Sequence, residues 1–80
     1  MSRDEFEKLI ISIGFKLGFK QHYNDIYSYK EFGIYLYIDH YIFSYPSRSI
    51  NIHSLDNLTP LHKEFKNELR SIKLKKLLSL

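Results

Sequence analysis

The sequence contains no cysteine, tryptophan, alanine or valine, and only three glycines and two prolines. Without cysteine it can form neither a disulfide nor a thiolate metal site. A chain of 80 residues must then be held by packing or by association with another chain, since a core this small is marginal. The lack of cysteine fits a reducing compartment. No apolar run approaches the ~20 residues of a membrane span, so no membrane role is expected. The opening MSRDEFEKLI carries acids where a signal peptide carries bases, so no export signal is expected either. Charge of one sign is also scarce: 12 Lys+Arg stand against 9 Asp+Glu, a net +3. That balance is too mild to name a partner by itself. The length allows one domain at most, and residues 1–80 are read as a single α+β domain.

Catalytic patterns are missing as well. His22, His40, His53 and His62 show no H-x-x-x-H or H-E-x-x-H spacing. There is no nucleophile elbow, no P-loop and no GxGxxG. Glu5 with Glu7, and Glu64 with Glu68, are the available carboxylate pairs, and each is accounted for as helix-surface acid. The expectation is therefore a protein that is not an enzyme and needs no metal or cofactor.

What is abundant is aromatic: seven Tyr and six Phe. The stretch Ile34 to Tyr45, IYLYIDHYIFSY, alternates, turns at Asp39-His40 and alternates back. A two-residue loop there predicts a β-hairpin pairing Ile38 with Tyr41, Leu36 with Phe43 and Ile34 with Tyr45. One face is then Ile34, Leu36, Ile38, Tyr41, Phe43 and Tyr45, a core template. The other is Tyr35, Tyr37, Ile42 and Ser44. Asp-His is not a favoured hairpin turn, and a one-residue change of loop would exchange one strand's faces.

Ser2-Arg3-Asp4-Glu5 is a capping box that opens a helix. Phe6, Leu9, Ile10, Ile13 and Leu17 form one helical stripe, and Gly18 is the expected stop, so the first helix is placed at Arg3–Leu17. Ile11 and Phe15 fall opposite that stripe, where either neighbouring elements cover them or they form an exposed apolar pair. A strand is expected around Ile26–Lys30, with a short one at Phe19–Tyr23 as an option, and another at Ile50–His53 with both isoleucines inward. Thr59-Pro60 reads as N-cap and N1 of a second helix, reaching Leu78 and carrying Leu61, Phe65, Leu69 and Ile72 toward the sheet. The predicted order is α-β-β-β-α, an antiparallel sheet with both helices packed on one face.

Three surfaces are candidates for binding. On the second helix, Lys63, Lys66, Arg70 and Lys73 make a basic ridge without an acid among them, fitted either to solvent or to phosphates or an acidic protein. Leu74, Leu77 and Leu78 drift off the core stripe beside it, as an interface patch if the helix is straight and as core if it bends. Tyr35 and Tyr37, with Tyr27 or Tyr29 beside them, would line the outer sheet face, where bases stack or proteins dock. The first reading is a small protein-binding module. The Ile-, Lys- and Tyr-rich, Ala- and Val-free composition fits an AT-rich coding sequence, as in many phages and mobile elements. That suggests an accessory factor in the host cytoplasm that inhibits or modulates a host protein, such as a defence nuclease or replication protein, by covering its surface. A nucleic-acid-binding module using the basic helix ranks second. A homo-oligomeric virion or scaffold component, of which a homodimer is the simplest form, ranks third.

Overall fold

A computed structural model describes the backbone of residues 1–21 and 24–78 and the side chains of residues 1–20 and 24–72. The capping box forms as the sequence predicts. The Glu5 amide donates to Ser2 Oγ at 3.2 Å, the Ser2 amide donates to Glu5 Oε1 at 3.3 Å, and α1 runs Arg3–Ile13. Hydrogen bonding from Ser2 to its carboxylate holds the Glu5 carboxyl below its usual value.

The helix stops at Gly14 and not at Gly18. Gly14 adopts φ 136°, its amide donates to the Ile10 and Ile11 carbonyls, and the Phe15 amide closes back on Ile10 at 2.9 Å. These three back-bonds satisfy the Ile10 and Ile11 carbonyls in the last turn of the helix. It also turns the chain so that Phe15 enters the core, while Ile11 stays 54% exposed. Ile11 and Phe15, which helical spacing places together opposite the stripe, therefore part company. Leu17 leaves the helix and joins a strand.

Five strands follow, in spatial order β1-β2-β3-β4-β5, every neighbour antiparallel. They are β1 Lys16–Gln21, β2 Asn24–Tyr29, β3 Phe32–Leu36, β4 Tyr41–Ser44 and β5 Ser49–Ile52. The optional first strand is real and begins earlier than expected. The central hairpin is paired differently from the sequence reading: Leu36 faces Tyr41 and Ile34 faces Phe43. The loop is Tyr37 to His40, closed by the Tyr37 amide on the His40 carbonyl at 3.0 Å. The shift is by two residues, so each strand keeps its faces. Ile34, Leu36, Tyr41 and Phe43 are fully buried, whereas Ile38, expected inward, sits at the loop and is 68% exposed.

Two further helices close the chain: α2 Thr59–Glu64 and α3 Lys66–Leu78. Thr59 is the first helical residue rather than the cap. Leu58 holds the N-cap position, and Asn57 Oδ1 accepts from the Thr59 amide and hydroxyl. The single long helix is broken at Phe65, whose backbone (φ −124°, ψ 39°) is not helical. No helix among the described residues is long and apolar enough to cross a membrane.

Phe6, Ile10, Ile13, Leu61, Phe65 and Leu69 from the helices share one buried cluster with Tyr27, Ile34, Leu36, Tyr41, Phe43 and Ile52 from one face of the sheet. Tyr41 is fully buried against Phe6, ring centroids 4.7 Å apart, and donates to the Asn57 carbonyl at 2.6 Å. Burial pushes its phenol far above the ordinary value of 10.0. A raised folded-state value means the bond contributes fully below pH 10 and is lost as pH rises above it. Tyr41→Phe should cost about 1–2 kcal/mol at neutral pH. It should also remove up to about 1.4 kcal/mol per pH unit from the alkaline decline in stability. Urea titrations at neutral and alkaline pH measure both effects.

Candidate functional site

Residues directly opposite each other in an antiparallel pair point to the same side. The register therefore sorts the sheet into two faces. Asp25, Tyr27, Ile34, Leu36, Tyr41, Phe43 and Ile52 point inward. On the outer side, Phe19 faces Ile26, Ile26 faces Tyr35, Tyr35 faces Ile42 and Ile42 faces Asn51. An apolar row thus crosses four adjacent strands. Phe19 is 55% and Tyr35 39% exposed, with Ile26 and Ile42 half-buried between and beside them. The neighbouring outer row is small and polar: Lys16, Ser28, Gly33, Ser44 and Ser49. Among the described strand residues, the outer face carries one charge, Lys16, and no carboxylate.

Phe19 reaches this face because β1 is irregular. Leu17 pairs with Tyr27 and Phe19 with Ile26, so Gly18 is the extra residue of a bulge. The bulge interrupts alternation and brings Phe19 to the side of Ile26.

The sequence-predicted residues distribute unevenly. Tyr35 lies on the outer face as expected. Tyr37 lies in the hairpin loop, stacked flat on the His40 ring (centroids 4.5 Å, interplanar 2°). Asp39 Oδ1 lies 2.7 Å from His40 Nδ1, and that bond holds the Asp39 carboxyl below its usual value. Tyr27 and Tyr29 do not stand beside Tyr35. Tyr27 is on the inner face and 3% exposed, and Tyr29 is half-buried against Phe15 and Phe65. Their phase follows from β2, where Ile26 and Ser28 take the outer positions. Phe19 and Ile26 are the residues that sequence reasoning missed. The usable signal is Gly18 within an otherwise β-prone stretch, a mark of a bulge.

Lys63, Lys66 and Arg70 are exposed. The break at Phe65 puts Lys63 on α2 and the other two on α3, so they do not form one straight ridge. Lys66 and Arg70 instead line a cleft of about 220 Å³ with His62 and Leu69. The side chains of Lys73, Leu74, Leu77 and Leu78 lie outside the described residues; the α3 backbone is helical through Leu78. Among the described residues, no three of His, Asp and Glu are grouped so as to hold a metal ion.

At the rim of the inner face, Asp25 is buried and accepts from Arg3 Nη2 at 2.9 Å, while Arg3 Nε donates to Glu7 at 3.1 Å. This pair ties α1 to β2. It has a structural role, because a nearly buried carboxylate must be matched by a donor.

No family model, curated protein or solved structure matches the chain. The functional reading therefore rests on the geometry.

Proposed function

We propose that the protein is a small binding module that acts by covering a surface of another protein, with the outer face of its sheet as the docking surface. Such a module fits an accessory factor that inhibits or modulates a host protein. On this reading α1 and the α2–α3 pair both cover the inner face and leave the outer one open. The shared cluster of helix and inner-face side chains supports that arrangement. The observation that carries the proposal is the row Phe19–Ile26–Tyr35–Ile42, apolar across four strands and partly exposed at Phe19 and Tyr35.

Aromatic anchors at the centre of a patch with a small polar margin suit a protein partner. A nucleic acid strand needs cations along its path to neutralise phosphates. Lys16 is the only described strand residue on this face that could do so. The tagged protein should recover a partner from the cells in which it naturally acts. Phe19→Asp combined with Tyr35→Asp should lose that partner with an unchanged circular dichroism spectrum, because aromatic anchors of this kind contribute about 2 kcal/mol or more each. Retention of the partner by this double variant, with loss in Lys66→Glu combined with Arg70→Glu, would move the interface to the C-terminal helix.

The cleft shared by His62, Lys66 and Arg70 favours a second reading, contact with nucleic-acid phosphates. It predicts binding to DNA or RNA that falls steeply with salt. An electrophoretic shift assay at low salt that shows no complex removes it.

A further inference from the structure

The sheet has two edges, β1 and β5, and they are unlike. β1 carries Lys16, Lys20 and the Gly18 bulge. Charges and a bulge are the devices that blunt an edge against further pairing. β5, Ser49-Ile50-Asn51-Ile52, has no charge and no proline, and it pairs with β4 without a bulge. Arg48, which stands next to it, is drawn away: its guanidinium lies over the Tyr45 ring, 5.0 Å from the centroid.

The direction of the β5 backbone groups follows from the hairpin. The Tyr45 amide donates to the Arg48 carbonyl at 2.7 Å, so Tyr45–Arg48 is a hydrogen-bonded pair. Pairs alternate along an antiparallel ladder. Ile50 opposite Phe43 and Ile52 opposite Tyr41 are therefore hydrogen-bonded pairs, and the backbone N–H and C=O of Ser49 and Asn51 point away from β4. No hydrogen bond from another described residue reaches those groups. Ile50 itself is only half-buried, at the margin of the core.

We infer that β5 pairs with β5 of a second copy, antiparallel about a two-fold axis at Ile50. In that register Ser49 of each copy faces Asn51 of the other, and the outward N–H and C=O groups of both residues are satisfied. Ile50 meets its own counterpart in a non-hydrogen-bonded pair, the closer of the two pair types, which completes its burial. The uncharged strand suits self-pairing between two copies that each carry +3. The two sheets become one, and their outer faces become continuous. This pairing stands or falls independently of what the outer face docks.

Sedimentation equilibrium on the full chain tests it. The wild type is expected to be a dimer at micromolar concentration. Ser49→Lys combined with Asn51→Lys sets lysine opposite lysine twice and should weaken the dimer by about 100-fold or more. Ser49→Lys combined with Asn51→Glu sets opposite charges in the same register and should remain dimeric. A wild type that is monomeric throughout, as it would be if a strand of another protein occupies the edge, overturns the inference. So does a Lys/Lys variant that still dimerises, or a Lys/Glu variant that behaves like the Lys/Lys one.

Discussion

Gly14→Ala is expected to cost about 2–5 kcal/mol, a large share of the stability of a domain this size, and so to lower the urea midpoint well below that of the wild type. Two effects add. The backbone at φ 136° is one that residues with a Cβ rarely adopt, with a strain of about 1–2 kcal/mol. The new Cβ would also lie 2.8 Å from Tyr29 Cε1 and 2.9 Å from Cζ. Tyr29 cannot easily retreat, because its ring is packed against Phe15 at 5.6 Å and Phe65 at 5.7 Å. Forcing atoms into a packed site costs about 1–3 kcal/mol more. Gly18→Ala is the control. Its Cβ would meet nothing closer than the Ile26 carbonyl at 3.7 Å, so it should change stability by less than about 1 kcal/mol. Urea denaturation of the two variants side by side measures the contrast. Equal effects would put the helix stop in the wrong place.

Phe65→Ala is expected to cost about 3–5 kcal/mol. Domains of this size hold of the order of 5–10 kcal/mol in total, so the variant should melt far below the wild type. Phe65 is 1% exposed and sits between α2 and α3. Its ring lies 5.2 Å from Phe32, 5.3 Å from Phe15, 5.7 Å from Tyr29 and 6.3 Å from Phe43. One side chain thus joins the helix break to three strands and to the residue that follows Gly14. Phe65→Leu keeps most of the apolar burial but loses the edge-on ring contacts, and should cost about 1–2 kcal/mol. Thermal unfolding followed by circular dichroism ranks the three proteins. A Phe65→Ala variant as stable as Phe65→Leu would mean that the aromatic cluster does not organise the core.

These residues also mark where the sequence could be read and where it could not. The capping box at Ser2 and Glu5 was legible because both partners lie within one turn. The two faces of the central hairpin were legible because a shift of two residues leaves them unchanged, even though the loop runs from Tyr37 to His40. The end of α1 was not legible. Gly14 and Gly18 are the same residue type, Leu17 fits the helical stripe, and what distinguishes the two glycines is a tyrosine ring from β2. The break at Phe65 was hidden because Leu61, Phe65, Leu69 and Ile72 keep helical spacing across it. At the candidate site, Tyr35 and Ile42 followed from alternation in the hairpin. Phe19 and Ile26 did not, because the Gly18 bulge changes the phase of β1 and the pairing that aligns these residues is set between strands.

The proposed docking surface is the outer sheet face around Tyr35. Site-specific photocrosslinking tests it most directly, with p-benzoylphenylalanine placed at Tyr35 in one protein and at Lys66 in another, each irradiated in the cells where the protein naturally acts. The Tyr35 probe is expected to capture a distinct heterologous protein that the Lys66 probe does not. Capture of that protein only from Lys66, with no adduct from Tyr35, would contradict the account.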